Sequence, residues 1–133
     1  KREELIREWD EAVRMIPKMW EDGPFEWKGK HYNIPPTYIV PKPVQTPHPP
    51  IFAACSRPEF SEAAGELGLG VLNFGVYTDE VLGENVKKYK QAIARCNPIG
   101  KKITNHFCCT SSTIILKNDK DAVKYLSISP LSR

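Results

Sequence analysis

No apolar run in this chain approaches the roughly 20 residues that cross a bilayer. Nor is there a block of one charge. Nineteen Lys and Arg are scattered among 16 Asp and Glu over 133 residues, for a formal net charge of +3. The first absence argues against a membrane partner and the second gives nucleic acid no basic stripe to follow. Lys1 to Trp20 is charged and amphipathic, unlike a signal peptide, so a cytoplasmic protein is expected. Histidine is scarce: His31, His48 and His106 lie far apart, without ligand spacing to one another or to a carboxylate cluster, so no metal site is expected. His48 reads as a packing or surface residue of a proline-rich arm. The four cysteines, Cys55, Cys96, Cys108 and Cys109, show no CxxC spacing and read as reduced core residues. Thr110-Ser111-Ser112-Thr113 lacks any GxSxG context, which leaves a catalytic triad unsupported. Gly68-Leu69-Gly70 lacks the third glycine of a dinucleotide fingerprint and stops a helix before a strand.

Proline is what the chain has in quantity, with 12 residues of which seven lie between Pro35 and Pro50. Each fixes φ and removes an amide donor, so this stretch is excluded from helix and from the middle of a sheet and must be an extended arm. The arm feeds Ile51 to Cys55, a continuous apolar run of the kind found in a strand covered on both faces. A Ser56-Arg57-Pro58 step then opens a helix, with Ser56 as the expected N-cap, Pro58 in the first turn, and Glu59 and Glu62 near the positive end of the dipole.

Helical spacing of Leu5, Ile6, Trp9, Ala12, Val13, Ile16, Met19 and Trp20 predicts a helix over Glu3 to Trp20 whose apolar stripe is core, with a kink or restart at Pro17. Phe25 to Ile34 reads as a hairpin turning near Lys28-Gly29. Further helices are expected over Glu59 to Leu67, stopped by Gly68, and over Asp79 to Arg95. Thr78 caps the second, and Val81, Leu82, Val86, Tyr89 and Ile93 form its inner face. Strands are expected at Gly70 to Phe74 and within His106 to Leu116, before a helix from Asp119 to about Leu126. Strands alternating with such helices imply βαβ units and a parallel sheet. A single, incomplete domain is expected, since the chain opens on a charged helix without an initiator methionine and closes where a helix has barely begun.

Ligands of parallel sheets gather at strand carboxyl ends, and free amides at a helix start favour phosphate. The candidate site is therefore Ala54, Cys55, Ser56 and Arg57 after one strand, with Asn73, Phe74 and Gly75 after the next. Ser56 and Arg57 can hold an anion, and the apolar residues can line a flat ring. An ordinary βα loop without a ligand explains the same residues.

Three segments together carry a family resemblance: Trp9-Asp10-Glu11-Ala12-Val13-Arg14-Met15-Ile16-Pro17-Lys18-Met19-Trp20, then Phe25-Glu26-Trp27-Lys28-Gly29-Lys30-His31-Tyr32, then Pro41-Lys42-Pro43-Val44-Gln45-Thr46-Pro47-His48-Pro49-Pro50. The chain resembles the bacterial luciferase-like, flavin-dependent monooxygenases over nearly its whole length. Ala63-Ala64 followed by Gly68-Leu69-Gly70 also fits. The resemblance implies part of a (β/α)8 TIM barrel, about three βα units with the hairpin and proline arm as an excursion, lacking the amino-terminal half and the last strand. It implies reduced FMN, or in some relatives F420, with the phosphate at Ser56, Arg57 and the following helix and the flavin ring near Leu72, Asn73 and Phe74. Ser56 stands where many relatives carry an acidic residue or threonine. The family's catalytic groups fall largely in the half this sequence lacks, so no catalytic residue is assigned.

The expected function is a flavin-dependent monooxygenase using reduced FMN and O2 on a small organic substrate, present as a carboxy-terminal portion that is inactive alone. The alternatives are a non-catalytic flavin-binding or assembly module and an F420-dependent oxidoreductase of the same fold. A flavin reductase and a second copy of the chain are the protein partners such an enzyme would take.

Overall fold

In a computed structural model of the chain, residues 2–74, 77–110 and 114–128 are described. Helix α1 (Arg2–Met19) leads into an antiparallel hairpin, β1 (Phe25–Lys28) and β2 (Asn33–Thr37), paired Trp27 to Ile34 and Lys28 to Asn33. The proline arm follows, then β3 (Phe52–Cys55), α2 (Pro58–Glu66), β4 (Gly70–Asn73), α3 (Asp79–Ala94), β5 (Phe107–Cys109) and α4 (Asp119–Ile128). Strands β3, β4 and β5 form one parallel sheet in that order, the βαβ arrangement that alternating apolar runs and helices predict.

The core lies between this sheet and its helices. Ala53, Cys55, Leu69 and Val71 from the strands and the turn before β4 meet Ala64 of α2, Tyr89 and Ile93 of α3, and Val13 of α1. At Gly65 a methyl group would press on Ala92 and the Tyr89 backbone, so glycine lets the two helices approach. Gly68 ends the turn after α2 at φ +73°, the left-handed conformation that a helix stop requires.

Five expectations are corrected. The N-cap of α2 is Arg57, not Ser56, because Pro58 occupies the first turn and a residue before proline is driven to extended backbone, here φ −143°, ψ 150°. Strand β3 alternates instead of being covered on both faces: Ala53 and Cys55 are buried against the helices and Ala54 is exposed. The stripe of α1 is core only in its second half. Val13, Met15 and Pro17 are buried, but Leu5, Ile6 and Trp9 are exposed because an open cleft separates them from β3 and α2. Helix α1 runs to Met19 with Pro17 in its last turn, and bonds from Trp20 N to Pro17 O (3.2 Å) and Glu21 N to Lys18 O (3.2 Å) close the end. Finally, Cys108 and Cys109 are exposed, Val81 lies outside the buried face of α3, and the polar Asn85 takes a place inside it. Cys55 alone among the cysteines is fully buried, and all four are free thiols.

Candidate functional site at the strand ends

The register aligns Cys55 with Asn73 and Asn73 with Cys109, so the three strands finish level. Pairing carries one residue further on each side: Phe74 N donates to Cys55 O (3.1 Å) and Thr110 N to Asn73 O (3.1 Å). The loops after β3, β4 and β5 thus stand side by side at one rim, the place where parallel sheets collect ligands.

Of the residues singled out from the sequence, four are at the surface of this rim. Ala54 lies on the sheet face away from the helices, beside Leu72 in the β3–β4 register, and Phe74 extends that apolar face at 56% exposure. Ser56 and Arg57 are exposed on the loop that enters α2. Cys55 and Asn73 are buried, at 1% each, so their side chains belong to the packed side and only their backbones meet the rim. Burial pushes the Cys55 thiol up, against an opposing bond from Ser61, and that disfavours a thiolate there. Gly75 and Ser111 to Thr113 lie outside the described residues.

The electrostatics favour an anion at one spot. The Arg57 guanidinium has no hydrogen-bond or ion-pair partner among the described residues. Pro58 supplies no amide hydrogen, and Phe60 N is taken by Arg57 O at 3.2 Å. The amides of Arg57 and Glu59 have no backbone partner among the described residues and lie at the positive end of the α2 dipole. Glu59 would oppose an anion, but its carboxylate pairs with Arg2 at 3.4 Å. No group of three or more His, Cys, Asp and Glu among the described residues is placed to hold a metal ion.

Two cavities flank the sheet. An apolar cleft of about 340 Å³ runs beside β3, between Leu5, Ile6 and Trp9 of α1, Ala54, and Phe60 and Ala63 of α2. A larger, polar one of about 610 Å³ lies at the amino ends of the strands, lined by Lys18, Trp20, His48 and Gly100. The larger cavity is remote from the strand carboxyl ends, so volume alone is a poor guide to the site. His48 is buried there against Trp20, with Nδ1 at 2.7 Å from Pro49 O, a packing role. One residue of the rim has no signal in the sequence: Tyr77, whose hydroxyl donates to Ser56 O at 2.7 Å.

Parallel strands joined by helices in βαβ units define an α/β protein. The chain belongs to the luciferase-like monooxygenase family, whose sequence profile matches residues 1–131. Over 61 residues it is 34% identical to the oxygenase component of the flavin-dependent trigonelline monooxygenase of Acinetobacter baylyi, a stretch covering 46% of this chain and 17% of that protein. The crystal structure of monooxygenase RslO1 from Streptomyces bottropensis matches it with a TM-score of 0.66 at 21% identity, over 87% of this chain and 35% of that one. That likeness is one of fold. The chain spans well under two thirds of either relative. Among the described residues no helix is long and apolar enough to cross a membrane.

Proposed function

We propose that this chain is a carboxy-terminal portion of a flavin-dependent monooxygenase of the (β/α)8 type, with reduced FMN seated at the carboxyl ends of β3 and β4. The observation that carries the reading is the Arg57 guanidinium, unpartnered among the described residues, beside two amides likewise without a partner at the start of α2, adjoining the apolar face of Ala54, Leu72 and Phe74. A phosphate fits the first group and a flat ring the second. When bound, reduced flavin supplies the electrons that let O2 oxygenate a small organic substrate. The chain's own part is to bind and orient. Ser56 and Arg57 hold the phosphate, Ala54 and Phe74 flank the ring, and the buried Cys55 and Asn73 fix the backbone on which both rest. The flavin-dependent relative supports flavin over F420.

Arg57→Ala tests the assignment. The side chain is exposed and has no partner among the described residues, so the variant is expected to unfold at the same urea concentration as the parent. Its FMN affinity is expected to fall about tenfold or more, the scale of a charge-assisted bond to phosphate. Unchanged FMN affinity would remove the phosphate from this loop.

A second reading, a flavin-binding or assembly module without turnover, is favoured by one observation. Among the described residues the outer edges of β3 and β5 have no strand partner. Incorporation of labelled O2 into an organic substrate, beyond the spontaneous oxidation of free reduced FMN, separates the two readings.

A further inference from the structure

We propose that Tyr77 is a positioning residue for the anion-binding loop: its hydroxyl, 2.7 Å from Ser56 O, fixes the Ser56–Arg57 peptide so that the Arg57 amide faces the flavin phosphate. This rests on the reading that Ser56 and Arg57 take the phosphate.

The loop between β3 and α2 is only Ser56 and Arg57. Pro58 lacks an amide hydrogen and Phe60 N is engaged, while the Arg57 and Glu59 amides have no partner among the described residues. In a trans peptide the carbonyl and the next amide point in opposite directions. A hydroxyl that holds Ser56 O toward Tyr77 therefore turns the Arg57 N–H the opposite way and fixes its direction. No backbone amide among the described residues reaches the Ser56 carbonyl, so Tyr77 is what orients this peptide. Tyr77 is itself anchored. It precedes Thr78, the N-cap of α3, whose side chain accepts from Val81 N at 3.5 Å. The anion loop of one βα unit is thus held by the first turn of the next.

The test compares FMN with riboflavin, which lacks the phosphate, on the full chain, its Tyr77→Phe variant and Arg57→Ala. Phenylalanine keeps the half-buried ring, and only the hydroxyl is lost. Tyr77→Phe is expected to weaken FMN about threefold to tenfold, the scale of one neutral hydrogen bond, with riboflavin affinity unchanged. The Arg57 amide resonance is expected to shift in the same variant, because the peptide it belongs to loses its hydrogen bond. Equal weakening of FMN and riboflavin, or unchanged FMN affinity with an unmoved Arg57 amide resonance, would overturn the proposal. Arg57→Ala separates the two ways to fail. If it too leaves FMN untouched, the phosphate reading falls and takes Tyr77 with it; if it weakens FMN while Tyr77→Phe does not, only the role of Tyr77 falls.

Discussion

Glu11 is a carboxylate on α1 that ties the hairpin at three points. Its oxygens accept from the Trp27 indole (2.9 Å) and from the His31 and Tyr32 amides (3.0 and 3.1 Å), three donors from the turn of β1 and β2. Gly29 is glycine for the same reason: a methyl group there would occupy the space of the Glu11 carboxylate. Gly29→Ala is accordingly expected to cost about 1–3 kcal/mol in chemical denaturation, the usual range for overpacking. Gly83, exposed in the interior of α3 with open space around it, is the contrast; alanine there should stabilise by about 0.4–1 kcal/mol. Burial raises the Glu11 pKa, but the three hydrogen bonds and the His31 ring outweigh it and hold the carboxyl below its ordinary value of 4.5. A group lowered on folding stabilises above its unfolded pKa, and that contribution disappears as pH falls through the folded value. The Trp27 fluorescence is therefore expected to report hairpin release below about pH 4.5, and Glu11→Gln should abolish that acid step. An identical acid transition in the glutamine variant would assign it to another carboxylate.

At the scale of elements, α3 is tied to the sheet by Tyr89. Its hydroxyl is buried among the carbonyls of Leu69, Thr104 and His106 at 3.0–3.1 Å and donates its one proton among them. Burial pushes the phenol up to about 12. A tyrosine raised in the folded state keeps its full contribution below its unfolded pKa near 10 and loses it as pH climbs toward the folded value. Tyr89→Phe is expected to lower stability by about 1–2 kcal/mol at neutral pH and to flatten the alkaline decline between pH 10 and 12. Equal slopes in both proteins would remove Tyr89 from that decline. The face that carries Tyr89 was legible in the sequence because period 3.6 is local, and so was the Thr78 cap. What periodicity does not carry is how closely a neighbour packs. Leu5, Ile6 and Trp9 continue the stripe of α1 and remain exposed, and Ala54 sits in an apolar run yet faces outward. The strand-end loop was readable for the same local reason, an apolar run broken by Ser-Arg-Pro. Glu11 and Tyr77 were not, because their partners lie 16 to 21 residues away and no spacing encodes them.

For the molecule as a whole, the consequence is a small core that a ligand can measurably reinforce. Three short parallel strands are covered by helices on one face, while Leu72 at 37% and Phe74 at 56% leave the other face open. A native state with so few buried side chains is marginal, and anything that binds it alone raises its stability by RT ln(1 + [L]/Kd). FMN at a hundredfold excess over its Kd is expected to add about 2.7 kcal/mol to urea unfolding followed by Trp20 and Trp27 fluorescence. The two ends of the site should then separate by substitution. Phe74→Ser removes apolar contact from the ring end without touching the core, so it should weaken FMN and riboflavin alike. Arg57→Ala should weaken FMN alone. A Phe74 variant that discriminated between the two flavins, or an Arg57 variant that did not, would reverse the orientation of the cofactor on the strand ends. An unfolding curve indifferent to FMN would instead mean that these strand ends do not bind flavin in this chain by itself.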